Sequence, residues 1–454
     1  MPRTIRTTLI SVRDIVIAAG PFVLLTVLLL LAAYFMLDPA PPKRVVLATG
    51  PQDSAYATFG KRYAAEFKRY GIEIILKPTE GSAHNLRLLS EGKEQLDLGF
   101  VRGGSSEALR AVDEESAAAP LVSLGSLFFE PLWVFYRAES AKRLNPEATL
   151  TQLSELRGWK VDIGTSGSGV PNAMAKLLNV SGVEADSLQL SRQNLTPAVM
   201  ALIGNELDAV VIASAPESPM VQMLLRAPGI KLLEFPQAEA YSRQLSFLSP
   251  VRLPRGIADL ALNVPAHDVP VVATTTMLVA RQGTHPAILQ LFVQAAKKIH
   301  GEAGWLAPAG QFPSPQHMQF ALASEAERYY RNGPPLLQRY LPFWLANLID
   351  RMWVVGISII AILIPLTRWV PPLYTFRVRS RVFRWYRHLR EIEDALAQSS
   401  VQPVELLDEL NKLDAQVANV VVPLAFTDEL YALRGYIQLV RERLQNRLTH
   451  PAAT

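Results

Sequence analysis

The sequence predicts an α/β body held between two transmembrane helices and followed by a helical tail. Three observations carry that expectation. Two stretches are long and apolar, the chain between them alternates strand and helix patterns, and the chain after them repeats apolar residues at helical spacing. With 454 residues, 49% of them hydrophobic, the chain can fill two or three compact units with their own cores.

The first element is "IVIAAGPFVLLTVLLLLAAYFML", Ile15 to Leu37, which contains no charged residue. A helix crossing the hydrocarbon core of a bilayer needs about 20 such residues. A cleaved signal peptide is the alternative, but its apolar core runs to only about 7 to 15 residues, so an uncleaved anchor is expected. "DPAPPKR" follows as a proline-rich spacer that stands the next domain off the membrane. The second apolar stretch, "MWVVGISIIAILIPLTRWV" from Met352 to Val370, has Trp353 and Trp369 placed for the two interfaces and Arg368 placed to snorkel. A buried core helix is the other reading of that stretch.

Charge then fixes the expected orientation. Residues 1–14 carry Arg3, Arg6 and Arg13 against Asp14, a net +2, and residues 368–390 carry seven arginines and no acid. The chain total is +4, so the large remainder is mildly acidic at −5. The basic pI of about 9.1 is therefore no nucleic-acid signal. Arginine beside the outer ends of both spans places those flanks in the cytoplasm by the positive-inside rule. The expected order is a cytoplasmic N-terminus (1–14), a span (15–37), a periplasmic domain (38–349), a span (350–370) and a cytoplasmic helical tail (371–454), in a bacterial inner membrane. The chain has no cysteine, which removes disulfides, thiolate nucleophiles and cysteine metal sites together.

Inside the body, "RVVLAT" reads as a strand closed by Gly50 and Pro51, and the next helix places Tyr56, Phe59, Tyr63 and Phe67 on one face before Gly71 ends it. "IEIILKPT" is a second strand, a helix runs from about Ala83 to Glu91, and "LDLGFV" is a third strand. "LWVFYR", "KVDIG", the helix "PNAMAKLLNVSG", "DAVVIAS", "TTTMLVAR" and the helix "PAILQLFVQAAKKIHG" continue the alternation. Such alternation predicts a mainly parallel sheet with helices on both faces.

Three segments of this body, "ATGPQDSAYATFGKRYAAEF", "KPTEGSAHNLRLLSEGKEQLDLGFV" and "LSELRGWKVDIGTSGSGVPNAMAKLL", together with "ALIGNELDAVVIAS", resemble the TAXI family of TRAP-transporter solute receptors over roughly Arg44 to Gly301. The resemblance implies a two-lobed, type II-like periplasmic binding protein. Lobe 1 would hold about 44–135 and 238–310, and lobe 2 about 136–237. It also implies a small, carboxylate-bearing ligand, such as an organic acid or amino acid, passed to TRAP-type permease subunits. Two features depart from the family's plan: the first loop reads "GPQDSAY" instead of paired glycines with an aromatic, and a second span with a tail is added.

The residues support a binding site independently. A carboxylate is well held by backbone N–H groups at helix starts together with hydroxyl and amide donors, and three loops have that composition. The first offers Ser54 and Tyr56. The second offers Thr79, Gly81, Ser82 and Asn85, with Gly81 permitting close backbone approach and Ser82 either capping the helix or donating to ligand. The third, "GTSGSG", offers Thr165, Ser166, Gly167, Ser168 and Gly169 as an anion nest or a plain turn. Arg102, after the third strand, would either pair with a ligand carboxylate in two-pronged fashion or lie solvated at the surface. Ser214 and Asn194 are weaker candidates from the facing lobe.

No catalytic pattern accompanies these loops. "GTSGSG" fits neither the dinucleotide pattern nor a nucleophile elbow, and no phosphate loop occurs. The seven histidines are scattered without metal-ligand spacing, and His84 reads as a capping or surface residue. No enzyme, cofactor or metal is expected.

In the tail, Val382, Tyr386, Leu389, Ile392 and Leu396 recur at helical spacing. Leu406, Leu410, Leu413, Val417 and Val420 form a second set, and Leu430, Leu433, Ile437, Val440 and Leu444 a third. These stripes predict three helices packed as a small bundle or against a partner, with the arginines from Arg377 to Arg390 beside anionic lipid. The expected function is a membrane-anchored solute receptor. The alternatives are a ligand sensor signalling through the tail and a structural envelope protein with a binding-protein fold.

Overall fold

A computed structural model of the chain describes residues 3–37, 40–92, 94–105, 120–398, 402–420, 422 and 426–449. The chain divides into two units, residues 40–346 and residues 1–39 together with 347–454.

Helix α1 (Arg3–Leu37) precedes the body, which opens with β1 (Arg44–Ala48), α2 (Ala55–Lys68), β2 (Glu73–Lys77), α3 (Ser82–Glu91) and β3 (Leu98–Arg102). Ser54 caps α2 by accepting the Ala57 N–H at 3.3 Å, and Tyr56, Phe59, Tyr63 and Phe67 are buried along one face as their spacing predicts. There follow β4 (Leu121–Arg137), α4 (Ala138–Ala141), β5 (Lys160–Asp162), α5 (Val170–Val180), β6 (Gln189–Ser191), α6 (Leu195–Ile203) and β7 (Ala209–Ala213). Next come α7 (Pro219–Arg226), β8 (Ile230–Leu232), α8 (Ala238–Gln244), β9 (Ser249–Leu253), β10 (Val269–Arg281), α9 (Pro286–His300) and α10 (Ser324–Asn332).

The strands run in the order β2-β1-β3-β10-β4-β7-β5-β6, with β9 beside β10 and β8 beside β4. Three strands of each lobe pair in parallel, β1 with β2 and β3 on one side and β5 with β6 and β7 on the other, while β8 and β9 pair antiparallel with β4 and β10. The expected mainly parallel sheet is corrected at its centre. There β10 lies antiparallel to β3 and β4, and β4 antiparallel to β7. Both central strands are too long for one lobe. Leu124, Leu127 and Phe128 of β4 join the core of the first lobe, whereas Leu132 to Tyr136 join the two cores of the second. Strand β10 divides in the same way, with Leu278 and Ala280 in the first lobe and Val271 and Val272 in the second.

The chain therefore crosses between lobes near Glu130 and Thr274, which are neighbours in the ladder. Residues 238–272, expected in lobe 1, pack largely in lobe 2: Ala238 and Leu248 lie in its core, and β9 pairs with the second-lobe half of β10. The reason is the length of β10, which returns the chain to the first lobe only in its second half. Two α/β lobes joined by two crossing strands make the mixed fold of type II periplasmic binding proteins.

The other unit contains α1 and, from its later part, α11 (Phe343–Thr367), α12 (Val370–Gln398), α13 (Pro403–Ala418) and α14 (Thr427–Thr449). Both α1, over Ala19–Leu37, and α11 are long and apolar enough to cross a membrane. Their apolar side chains face outward, as at Leu24 and Ile364. The three expected stripes of the tail pack on one another: Val382, Leu389 and Ile392 of α12, Leu406 to Val417 of α13, and Leu433 to Leu444 of α14 share one core.

Candidate ligand-binding cleft

Between the lobes lies a cleft of about 710 Å³, counting its open mouth. One wall comes from the loop before α2, the start of α3 and the crossing point of β4, the other from the loops after β5 and β6 and the end of β7. Ser54, Tyr56, Gly81, Ser82, Thr165, Ser168 and Ser214, all expected from the sequence, line it, as does Asn194. Leu195, Ala198, Val170 and Val210 to Ala213 supply an apolar side.

The remaining candidates lie behind this surface. Asn85 is fully buried and donates to the carbonyls of Thr49 at 2.6 Å and Phe100 at 2.9 Å. The Thr79 hydroxyl donates to the Thr49 carbonyl and accepts the Gly81 N–H. These two side chains brace the loops of the first lobe. Gly81 itself has φ +133°, and a Cβ there would stand 3.0 Å from Ser168 Cα across the cleft, so the close approach expected of this glycine is to backbone. Ser82 does not cap α3: the cap position is Gly81, and the Ser82 hydroxyl accepts the Arg102 N–H at 2.7 Å and bonds Ser105 at 2.9 Å.

Arg102 is neither a surface residue nor part of the cleft lining. Only 2% exposed, it donates from Nη2 to the Ser168 carbonyl at 3.1 Å and faces Glu130 Oε1 at 3.9 Å. Its guanidinium ties one lobe to the other. Ser166, Gly167 and Gly169 likewise lie outside the lining, because "GTSGSG" folds on itself as a 3-10 turn over Ser166–Ser168. The N–H of Ser168 goes to the Thr165 carbonyl, that of Gly169 to the Ser166 carbonyl and that of Val170 to the Ser168 hydroxyl. The Gly167 N–H is taken by Glu80 Oε2 at 3.2 Å, from the opposite lobe. A further bridge runs from the Thr196 hydroxyl to Asp53 at 3.0 Å. With these contacts the lobes are closed on one another.

Three carboxylates of the cleft, Glu80, Glu130 and Asp162, escaped the reading of the sequence. Glu130, at the crossing point, is 2% exposed and lines the floor. Its Oε2 accepts the hydroxyls of Tyr56 and Thr276, each at 2.7 Å. Burial pushes the Tyr56 phenol well above its usual range, and the carboxylate of Glu130 adds to that, so Tyr56 stays a donor. Asp162, at the end of β5, accepts the Gly164 N–H on one oxygen and the Ser191 hydroxyl and Gln193 N–H on the other. A signal for Glu130 was present: it is the one charge inside the otherwise uncharged run from Leu121 to Tyr136, and a lone acid within a buried strand needs a partner. His84, expected as a capping or surface residue, accepts the Glu80 N–H on Nδ1 at 3.3 Å.

No curated protein matches the chain. Among solved structures, the aliphatic sulphonate binding protein SsuA of Escherichia coli shares 17% identity at a TM-score of 0.36, covering 70% of this chain and 83% of that one. A protein of Bordetella bronchiseptica RB50 shares 14% at 0.42, over 68% and 98% of the two chains. The CcmR regulatory domain of Synechocystis PCC6803, in complex with 2-PG, shares 16% at 0.37, over 57% and 97%. Scores this low carry nothing about the ligand. Residues 47–295, by contrast, match the NMT1-like family, a span that takes in both lobes and every loop of the cleft, and the chain belongs to that family.

Proposed function

We propose that the chain is a membrane-anchored solute receptor of the TAXI type, holding a small molecule outside the cytoplasmic membrane for a TRAP-type permease. The observation that supports this reading best is the cleft itself, whose walls come from both lobes and whose mouth is bridged by Asp53 to Thr196 and Glu80 to Gly167. A ligand that touches both walls favours the closed arrangement over the open one by the difference in its affinity for the two. The residues proposed to meet it are Ser54, Tyr56, Gly81, Ser82, Thr165, Ser168 and Ser214, with Glu130 beneath them. Anchoring rests on the two apolar helices and on the arginines beside them, which put both termini in the cytoplasm and the body in the periplasm.

A sensor is the second reading, favoured by the separate buried core of the tail, which gives α12 to α14 a module of their own. Uptake of a labelled solute, first found by a thermal-shift screen on the purified full-length chain, separates the two. Cells lacking the chain are expected to lose uptake. Cells with residues 377–454 deleted and both apolar helices kept are expected to retain at least half, since a receptor needs only its body near the permease. Loss of uptake in the truncated form, at normal protein level, would replace the receptor by the sensor.

A further inference from the structure

The cleft contains three carboxylates, Glu80, Glu130 and Asp162, and no lysine, arginine or histidine among its described lining residues. Several of the donors expected to receive an anionic solute are already engaged. In "GTSGSG" the N–H groups of Ser168 and Gly169 bond within the loop, that of Gly164 goes to Asp162 and that of Gly167 to Glu80, so a carboxylate of the chain itself occupies part of the place expected for that of a ligand. Arg102, the nearest buried cation, is committed to the Ser168 carbonyl and to Glu130. One acceptor keeps capacity. Glu130 Oε2 takes two hydroxyls, but Oε1 has only the 3.9 Å approach of Arg102, and a carboxylate offers about four lone-pair sites in all. Beside it stands the apolar side made by Leu195, Ala198 and Ile212.

We infer that the solute carries a protonated amine, held at Glu130 Oε1, on a short aliphatic body, and that a solute with carboxylates alone is rejected. This rests on the proposal that the cleft is the solute site. The physical basis is asymmetric. An ammonium gains a charge-assisted hydrogen bond and lowers the excess negative charge of the cleft. A carboxylate without an amine would be desolvated beside three others with no free cation to face, which discriminates against it as strongly as any attractive contact selects for the amine.

The test uses four five-carbon probes of one skeleton, titrated calorimetrically at pH 7 into the full-length chain in detergent: pentylamine, norvaline, valerate and glutarate. The expected result is that at least one of the amine-bearing pair binds at least tenfold tighter than valerate, with glutarate the weakest. Glu130→Gln should remove that discrimination, lowering amine affinity at least tenfold. If that variant fails to fold, the four probes on the unmodified chain still decide. If neither amine binds at least tenfold tighter than valerate and glutarate, or if none of the four binds, the inference is overturned. The receptor reading fails separately, if uptake in cells does not depend on the chain.

Discussion

Glu130 and Arg102 are each 2% exposed and face each other at the crossing point of β4. Removing one partner strands the other without solvent. Glu130→Ala is therefore expected to cost about 3–5 kcal/mol of stability, read as the shift in denaturation midpoint of the full-length chain. A change below about 1 kcal/mol would mean that water reaches Arg102. A second residue answers to pH. His300 is buried against Phe59, Phe128 and Tyr63, its Nε2 has no hydrogen-bond partner among the described residues, and burial first, then Arg62, pull its pKa down to about 3 from 6.5. Between those values the unfolded chain binds the proton and the folded one does not. Stability is thus fully present above about pH 6.5 and is lost as pH falls toward 3, by a few kcal/mol. His300→Phe should flatten this slope. The difference in melting temperature between pH 7 and pH 4.5 measures it, and an equal difference in both proteins would assign the acid sensitivity elsewhere.

Among the elements, β4 has one point where only glycine fits. Gly125 has φ +111°, and a Cβ there would meet the Tyr330 hydroxyl at 2.2 Å and the Ser314 carbonyl at 2.9 Å. The position is fixed because the Ser126 N–H bonds Ser314 and Tyr330 donates to the Leu124 carbonyl at 2.8 Å. Gly125→Ala should cost about 1–3 kcal/mol from the backbone alone, with the clash in addition. Adding Tyr330→Phe, which removes the hydroxyl, should restore only part of the loss in melting temperature. Full restoration would show that the backbone is unstrained. The stripes of α12, α13 and α14 behave differently, since helical spacing alone names the residues that meet in the bundle.

For the whole molecule, the testable quantity is topology. Arginines beside the outer ends of both apolar helices predict that a reporter fused after Thr454 is active only in the cytoplasm and one inserted near Asn145 only in the periplasm. Asn145 suits an insertion because it lies in the turn after α4, outside any strand. Periplasmic activity from the C-terminal fusion would reverse the arrangement, whatever the cleft binds.

By itself the sequence determined the elements whose cause is local. Two long apolar runs fix the two apolar helices, period-3.6 stripes fix the tail bundle, and the loops before α2, α3 and α5 are polar and glycine-bearing because each must turn a strand into a helix. Tertiary structure alone decided what spans the lobes. That β4 begins eleven residues before "LWVFYR", at Leu121, and that β10 returns antiparallel beside it depend on pairing between residues some 150 apart in the chain. No periodicity encodes such a pairing. The same holds for the cleft. Eight of the expected residues line it because loop composition places polar groups at strand ends, yet Arg102, expected either to grip a ligand or to lie solvated at the surface, is committed to Ser168 and Glu130. Which charge meets which is a property of distance in the fold, and it set Glu80, Glu130 and Asp162 among the lining residues of the cleft.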